Sequence, residues 1–147
     1  MSLTMSEHER QEFLAGVHVG VISIERADGP PLTVPIWYGY EPGGLVWIIT
    51  GAESLKGRLL NAARRFSLCA QSEAPPYKYV SVEGPIVSIE PADLERDIRP
   101  MAHRYLGKGI GNYYVDNTRR HYMHGDAILV RMRPERWFTL DYNKLFE

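Results

Sequence analysis

Leu45-Val46-Trp47-Ile48-Ile49-Thr50-Gly51-Ala52-Glu53-Ser54-Leu55-Lys56-Gly57-Arg58 says more about the fold than any other stretch of this chain. Its first half, to Thr50, is apolar and β-branched as a buried strand requires, and Gly51-Ala52-Glu53 turns it. Ser54 then caps a helix running to about Arg64, with Leu55, Leu59, Leu60 and Ala63 at helical spacing and Lys56, Arg58 and Arg64 on other faces. A strand ending in Thr50 that feeds a helix with two cations in its first turn gathers hydroxyls, backbone N–H groups and positive charge, which suits an anion. An ordinary capped helix with solvated cations accounts for the same residues, since Ser is common at an N-cap.

Upstream, Ser6 and Glu9 form a capping box for a helix ending near Gly16, whose apolar side is Phe13, Leu14 and Val17. It is expected to cover an open end of a sheet. Val19 to Glu25 and Leu32 to Tyr40 read as strands joined by the turn Asp28-Gly29-Pro30-Pro31, and Pro42-Gly43-Gly44 turns the second into Leu45 to Thr50, a three-stranded meander. Downstream, Phe66 to Gln71 is a strand and Pro75-Pro76 breaks the chain. Tyr77 to Val82 and Pro85 to Ile89 make one long strand with a bulge or bend at Gly84-Pro85. Pro91 to Leu106 reads as a helix, with Pro91 in its first turn, a kink or division at Pro100 and Gly107 at its end. Ala127 to Met132 and Arg136 to Asp141 are the last strands. The expected fold is mainly β: an antiparallel barrel with helices at its edges, an open α+β sandwich being the alternative. A single domain is expected over residues 6–147, with Met1-Ser2-Leu3-Thr4-Met5 set aside.

Composition bounds the function. A chain of 147 residues with 44% hydrophobic and 24% charged side chains suits one globular domain. With 17 basic against 18 acidic side chains the net charge is −1, so no general attraction to nucleic acid or anionic lipid is expected and any anion affinity must be local. Cys69 is the single cysteine, which excludes an intramolecular disulfide and fits a reducing compartment. No run of about eighteen apolar residues is present to span a membrane, and the acidic start lacks the pattern of a signal peptide, so a cytoplasmic location is expected.

Three further motifs have bland readings beside their functional ones. His121 and His124, three apart, could meet on one helical turn and bind metal, but no third ligand is evident, and a solvated loop accounts for them as well. Gly107-Lys108-Gly109-Ile110-Gly111 has neither the preceding strand nor the Lys-Ser/Thr end of a phosphate loop, and reads as a helix terminator. Arg64-Arg65 and Arg119-Arg120 read as surface arginines rather than a nucleic-acid patch, although Arg119 or Arg120 could reach an anionic ligand across a dimer.

Taken in order, the VGVISIE-type strand, PLTVPIWYGYE, LVWIITGAESLKGR, RFSLCAQSE and PPYKYVSVEGPIVSIE resemble the pyridoxamine 5′-phosphate oxidase-like split-barrel proteins, the flavin and deazaflavin oxidoreductase superfamily. The resemblance spans Val19 to Glu90 and continues more loosely to Arg136. It implies a split β-barrel homodimer with cofactor sites in grooves at the subunit interface. It carries over Thr50, Ser54 and Lys56 as phosphate ligands with Arg58 as an addition, Pro35 and Trp37 as residues lining the isoalloxazine ring, and Tyr79 as another cofactor-facing position. Leu55 stands where pyridoxamine phosphate oxidases usually carry an Arg, and no C-terminal segment recognising the vitamin B6 substrate follows Asp126. The chain therefore looks more like members that bind FMN loosely or bind the deazaflavin coenzyme F420.

Two functions follow from the resemblance. One is a flavin-type oxidoreductase that binds FMN or F420 and moves a hydride to or from a small organic substrate. The other is a carrier of flavin or haem without turnover, with His121 or His124 as haem ligand. No catalytic residue is required, because the cofactor carries the hydride. Tyr38 and Tyr79 are proton-donor candidates by location alone, and barrel-wall aromatics by the preference of strands.

Overall fold

The computed structural model describes residues 2–122 and 126–147, the side chains of 119–122 excepted. Its elements are α1 (Glu7–Ala15), β1 (Gly20–Ile24), β2 (Leu32–Ile36), β3 (Val46–Gly51), α2 (Leu55–Ala63), β4 (Arg65–Gln71), β5 (Lys78–Pro91), a wide helical turn (Leu94–Ile98), α3 (Arg99–Tyr122), β6 (Ala127–Met132), β7 (Arg136–Asp141) and a 3-10 turn (Tyr142–Phe146). The strands pair antiparallel in the order β2-β1-β4-β5-β6-β3, with β7 also on β5. This curled sheet is a split barrel with helices at its edges.

Strand β5 organises it. Lys78 to Glu83 pair with β7 and Tyr79 to Pro85 with β4, while Ile86 to Pro91 leave that sheet and pair with β6. Alternation along the strands sends Ile22, Ile24, Leu68, Val80 and Val82 inward, where they are fully buried with Val46, Ile48 and Leu60. At the far edge two hydrogen bonds between Gly39 and Trp47 (2.9 and 3.0 Å) join the continuation of β2 to β3. A side chain at Gly39 would collide with the Trp47 indole at 2.1 Å, so only glycine lets this seam close. Helix α1, with its capping box intact, plugs one end through Leu14, whose carbonyl accepts the Tyr38 hydroxyl at 2.7 Å.

Several expectations are corrected. Strands β1 to β3 do not form a meander: β3 pairs along its length with β6, and meets β2's continuation only at the Gly39 bridge. The bulge in β5 falls between Ile86 and Ser88 rather than at Gly84-Pro85. Residues 3–5 are part of the fold, since Leu3 accepts from Asp141 N–H (2.8 Å), Met5 N–H donates to Thr139 Oγ1 (3.0 Å), and the Met5 side chain is buried. Pro91 ends a strand, and the helical segment is divided beside Pro100, the wide turn Leu94–Ile98 giving way to α3 at Arg99.

Gly107 breaks α3 (φ 78°, ψ 170°) but does not end it. Arg99 Nη2 reaches Asp116 Oδ1 at 3.2 Å across 17 residues, which a straight helix would hold about 25 Å apart. The second arm therefore folds back on the first. Gly111 lets them meet, because a Cβ there would lie 2.9 Å from His103 and 3.1 Å from Ala102. Ile98, Ala102, Val115 and Ala127 form a small second core beneath this hairpin. Among the described residues no helix is long and apolar enough to cross a membrane.

His18, between α1 and β1, stacks on Phe13 (4.3 Å) and places Nε2 2.9 Å from the Phe13 carbonyl. Burial pushes its pKa below the usual 6.5, Arg104 and Lys78 push the same way, and the hydrogen bond to Phe13 opposes them. The unfolded chain takes up this proton first, so stability is lost as pH falls from 6.5 through the folded value. Wild-type protein is expected to lose urea resistance between pH 7.5 and 5, and His18→Gln to lose less; parallel losses in the two would refute this.

Candidate functional site

The strand-turn-helix from β3 to α2 builds the anion cradle. Ser54 is the N-cap: its Oγ accepts from Gly57 N–H (3.1 Å) and donates to Gly51 O (2.6 Å). Thr50 Oγ1 stands 3.4 Å from it. The Ser54 proton is thus engaged, and what the cradle offers an anion is the Thr50 hydroxyl, the first-turn N–H groups of Leu55 and Lys56, which have no partner inside the helix, and the Lys56 ammonium. Gly57 allows the close approach, since a Cβ there would lie 2.1 Å from Gly51 O.

Lys56 lies on the wall of a cavity of about 320 Å³ shared with Pro35, Ile36, Trp37 and Ile49 from the barrel, Val19 before β1, and Ile98, Met101, Ala102 and Tyr114 from the helical hairpin and the turn before it. Burial lowers its pKa below the usual 10.5, and it forms no ion pair with any described residue. A half-buried cation without a counter-ion in an apolar cavity has its electrostatic demand unmet until an anion arrives.

Trp37 is the flat wall. It stacks on Tyr105 at 4.9 Å with only 4° between the planes, and meets Tyr114 at 5.6 Å in a tilted contact. Tyr105 is fixed in turn: its hydroxyl accepts from Tyr38 N–H (3.0 Å) and donates to His18 O (2.7 Å).

Of the residues singled out from the sequence, the structure gathers Pro35, Trp37 and Lys56 in one cavity and sets Thr50 and Ser54 beside it. Arg58 is exposed and does not line it, and neither does Tyr79. Tyr79 sits opposite Gln71 and Leu140 on the outer face of the sheet, next to the row Pro35–Val21–Cys69–Ser81–Phe138. That face holds a hollow of about 670 Å³ which shares Val19 and Pro35 with the Lys56 cavity. Tyr38 is fully buried in the barrel wall outside the cavity lining, with its hydroxyl given to Leu14 O, and burial raises its phenol pKa above the usual 10. Ile98, Met101, Ala102 and Tyr114 escaped the sequence reading because the hairpin did; Gly107 and Gly111 were its signal. His124, and the side chains of Arg119, Arg120 and His121, fall outside what the structure describes, and among the described residues no cluster of three or more metal-ligating side chains occurs.

Comparison with known proteins agrees with this architecture. The chain is similar to a conserved hypothetical protein, Rv2991, from Mycobacterium tuberculosis (27% identity, TM-score 0.75, covering 99% of this chain and 91% of the other). It shares its fold with an F420 reductase (18% identity, TM-score 0.61, 87% and 94% covered) and with HutZ, a haem storage protein from Vibrio cholerae (20%, 0.64, 95% and 96%). No curated protein matches it in sequence. The family model of pyridoxamine 5′-phosphate oxidase matches residues 6–141, almost the whole of the barrel, and the chain belongs to that family.

Proposed function

We propose that the Lys56 cavity binds a phosphate-bearing flavin-type cofactor, FMN or the deazaflavin coenzyme F420, and that the protein is an oxidoreductase acting on a small organic molecule. One observation carries this reading: an ammonium with no ion-pair partner among the described residues, at the N-terminus of α2, at the edge of an apolar cavity walled by a flat indole. The cradle takes the phosphate, and Trp37 with Pro35 and Ile49 offers the apolar walls that a planar ring needs. A bound cofactor of this class supplies the hydride chemistry. The chain's part is to hold the anion, orient the ring along Trp37 and keep water from the apolar wall, and it brings no acid or base to the cavity apart from Lys56 and Tyr114 among the described residues.

A cavity of 320 Å³ is at the low end of the roughly 300–1,000 Å³ typical of ligand sites. We therefore place the rest of the site on a second copy of the chain, packed on the outer sheet face into which the cavity continues. Tyr79, on that face, then serves the partner's site, and Arg58 meets the solvent-side end of the cofactor. Vitamin B6 oxidation is not part of this proposal.

The test is titration of cofactor-free protein with FMN, F420, phosphate-free riboflavin and haem, followed by fluorescence and absorbance. Saturable binding of FMN or F420, at least tenfold tighter than riboflavin, is expected. Binding of haem alone would move the protein to the carrier class, and equal affinity for riboflavin and FMN would remove the phosphate anchor.

A further inference from the structure

We propose that the second arm of α3, residues 108–118, is a flap that swings about Gly107 to open and close the Lys56 cavity. The two arms of the hairpin are held in different ways. The first is fastened to the barrel through main-chain groups: Arg104 Nη2 donates to the carbonyls of Ala15 (3.1 Å) and Gly16 (2.9 Å), and Tyr105 bonds to His18 and Tyr38. In the second arm the side chains of Asn112 and Asp116 are bonded instead to the first. Arg99 donates to Asn112 Oδ1 (3.2 Å) and Asp116 Oδ1 (3.2 Å), and His103 Nε2 meets the same Asn112 oxygen at 2.6 Å.

The Asp116 end of this latch faces water. Asp116 is 61% exposed, and ion pairs open to water on one side contribute little and exchange readily. The hinge is unobstructed: no atom lies within 4 Å of where a Gly107 Cβ would stand, and its φ of 78° is one that glycine adopts freely. The apolar side of the arm puts Val115 in the second core and Tyr114 against Trp37. Tyr114 is what makes the arm a flap rather than an ornament of the fold. It lines the cavity from the mobile side while Trp37 lines it from the barrel, so lifting residues 108–118 separates the two walls between which a planar ligand would enter.

The ligand side of this proposal rests on the cavity being the cofactor site, whereas the motion does not, and hydrogen exchange reads them separately. In the wild-type chain under native conditions the amides of 108–118 are expected to exchange at least tenfold faster than those of 99–106. Asn112→Ala combined with Asp116→Ala should speed the second arm by a further tenfold or so and leave the first unchanged. Equal exchange of the two arms in the wild-type chain, or equal acceleration of both in the variant, would overturn the flap. With FMN as probe, protection confined to 108–118 and a several-fold faster FMN association in the latch variant are expected. FMN binding with no protection of 108–118 would also overturn the flap; absence of FMN binding beside a tenfold difference between the arms counts against the cofactor reading and supports independent motion of the flap.

Discussion

Gly84→Ala is expected to lower the unfolding free energy by about 3 kcal/mol, the upper part of the range for forcing extra atoms into a packed site. A Cβ at Gly84 would stand 1.8 Å from the carbonyl oxygen of Arg133 and 3.3 Å from the Glu135 nitrogen, both main-chain atoms that cannot rotate aside. The flanking residues grip the same loop, since Arg133 N–H donates to Pro85 O (3.0 Å) and Glu135 N–H to Glu83 O (2.9 Å). To admit one methyl group the β6–β7 connection must move off β5 where that strand passes from one sheet to the other, and both bonds stretch. The measurement is denaturant unfolding, with Gly109→Ala as control. Gly109 is helical with nothing within 4 Å of its Cβ position, so that change is expected to stabilise by about 0.5–1 kcal/mol. Equal stability of the Gly84 variant and wild type would show that the loop is not seated as described.

Lys56→Ala is expected to weaken binding of the phosphate-bearing cofactor by about 1–3 kcal/mol, or roughly 5- to 150-fold, the usual worth of a charge-assisted contact. The same change should leave folding stability unchanged or slightly higher. Burial depresses the Lys56 pKa, so the native state holds this charge at a cost that no described carboxylate offsets. Loss of binding without loss of stability distinguishes an anchor from a packing residue. The pH dependence has a definite sign: an anion favours the ammonium, so affinity falls as pH rises through the Lys56 pKa of the free protein, which lies below 10.5. Titrations of wild type and variant from pH 7 to 10 check both points, and a variant that binds FMN and F420 as tightly as wild type would sink the cofactor proposal.

What could be read from the sequence was local. Strand β3 with the Ser54 cap, the Ser6 capping box, β6 and β7 all follow from patterns within a few residues, and each lies where those patterns put it. The order of these segments also supplied the resemblance that named the barrel. What escaped depends on contacts between distant segments. Gly84 looked like a bulge or bend because glycine and proline interrupt a strand pattern, and β5 does change sheets just after it; the approach of Arg133, which requires the glycine, lies about 50 residues away and leaves no mark nearby. The hairpin in α3 was hidden for a similar reason. Gly107 was legible as a stop, but whether the chain leaves or doubles back is decided by Arg99 meeting Asp116, and with it went the four residues that roof the site. Lys56 was legible as a cation, and only the structure shows that it has no counter-ion among the described residues.

Strand β3 takes its place late in the life of the chain. Its full-length partner is β6, and the register Val46↔Met132 to Gly51↔Ala127 spans more than half of the sequence. While the ribosome is still making the protein, β1, β2, β4 and the first part of β5 can already pair with one another, but β3, joined to β2's continuation only at the Gly39–Trp47 bridge, lacks its full-length partner until residue 132 has emerged. The cradle near the middle of the sequence is therefore among the last features to be assembled, and a nascent chain arrested before Ala127 has every residue of the anion anchor yet lacks the strand that aligns them.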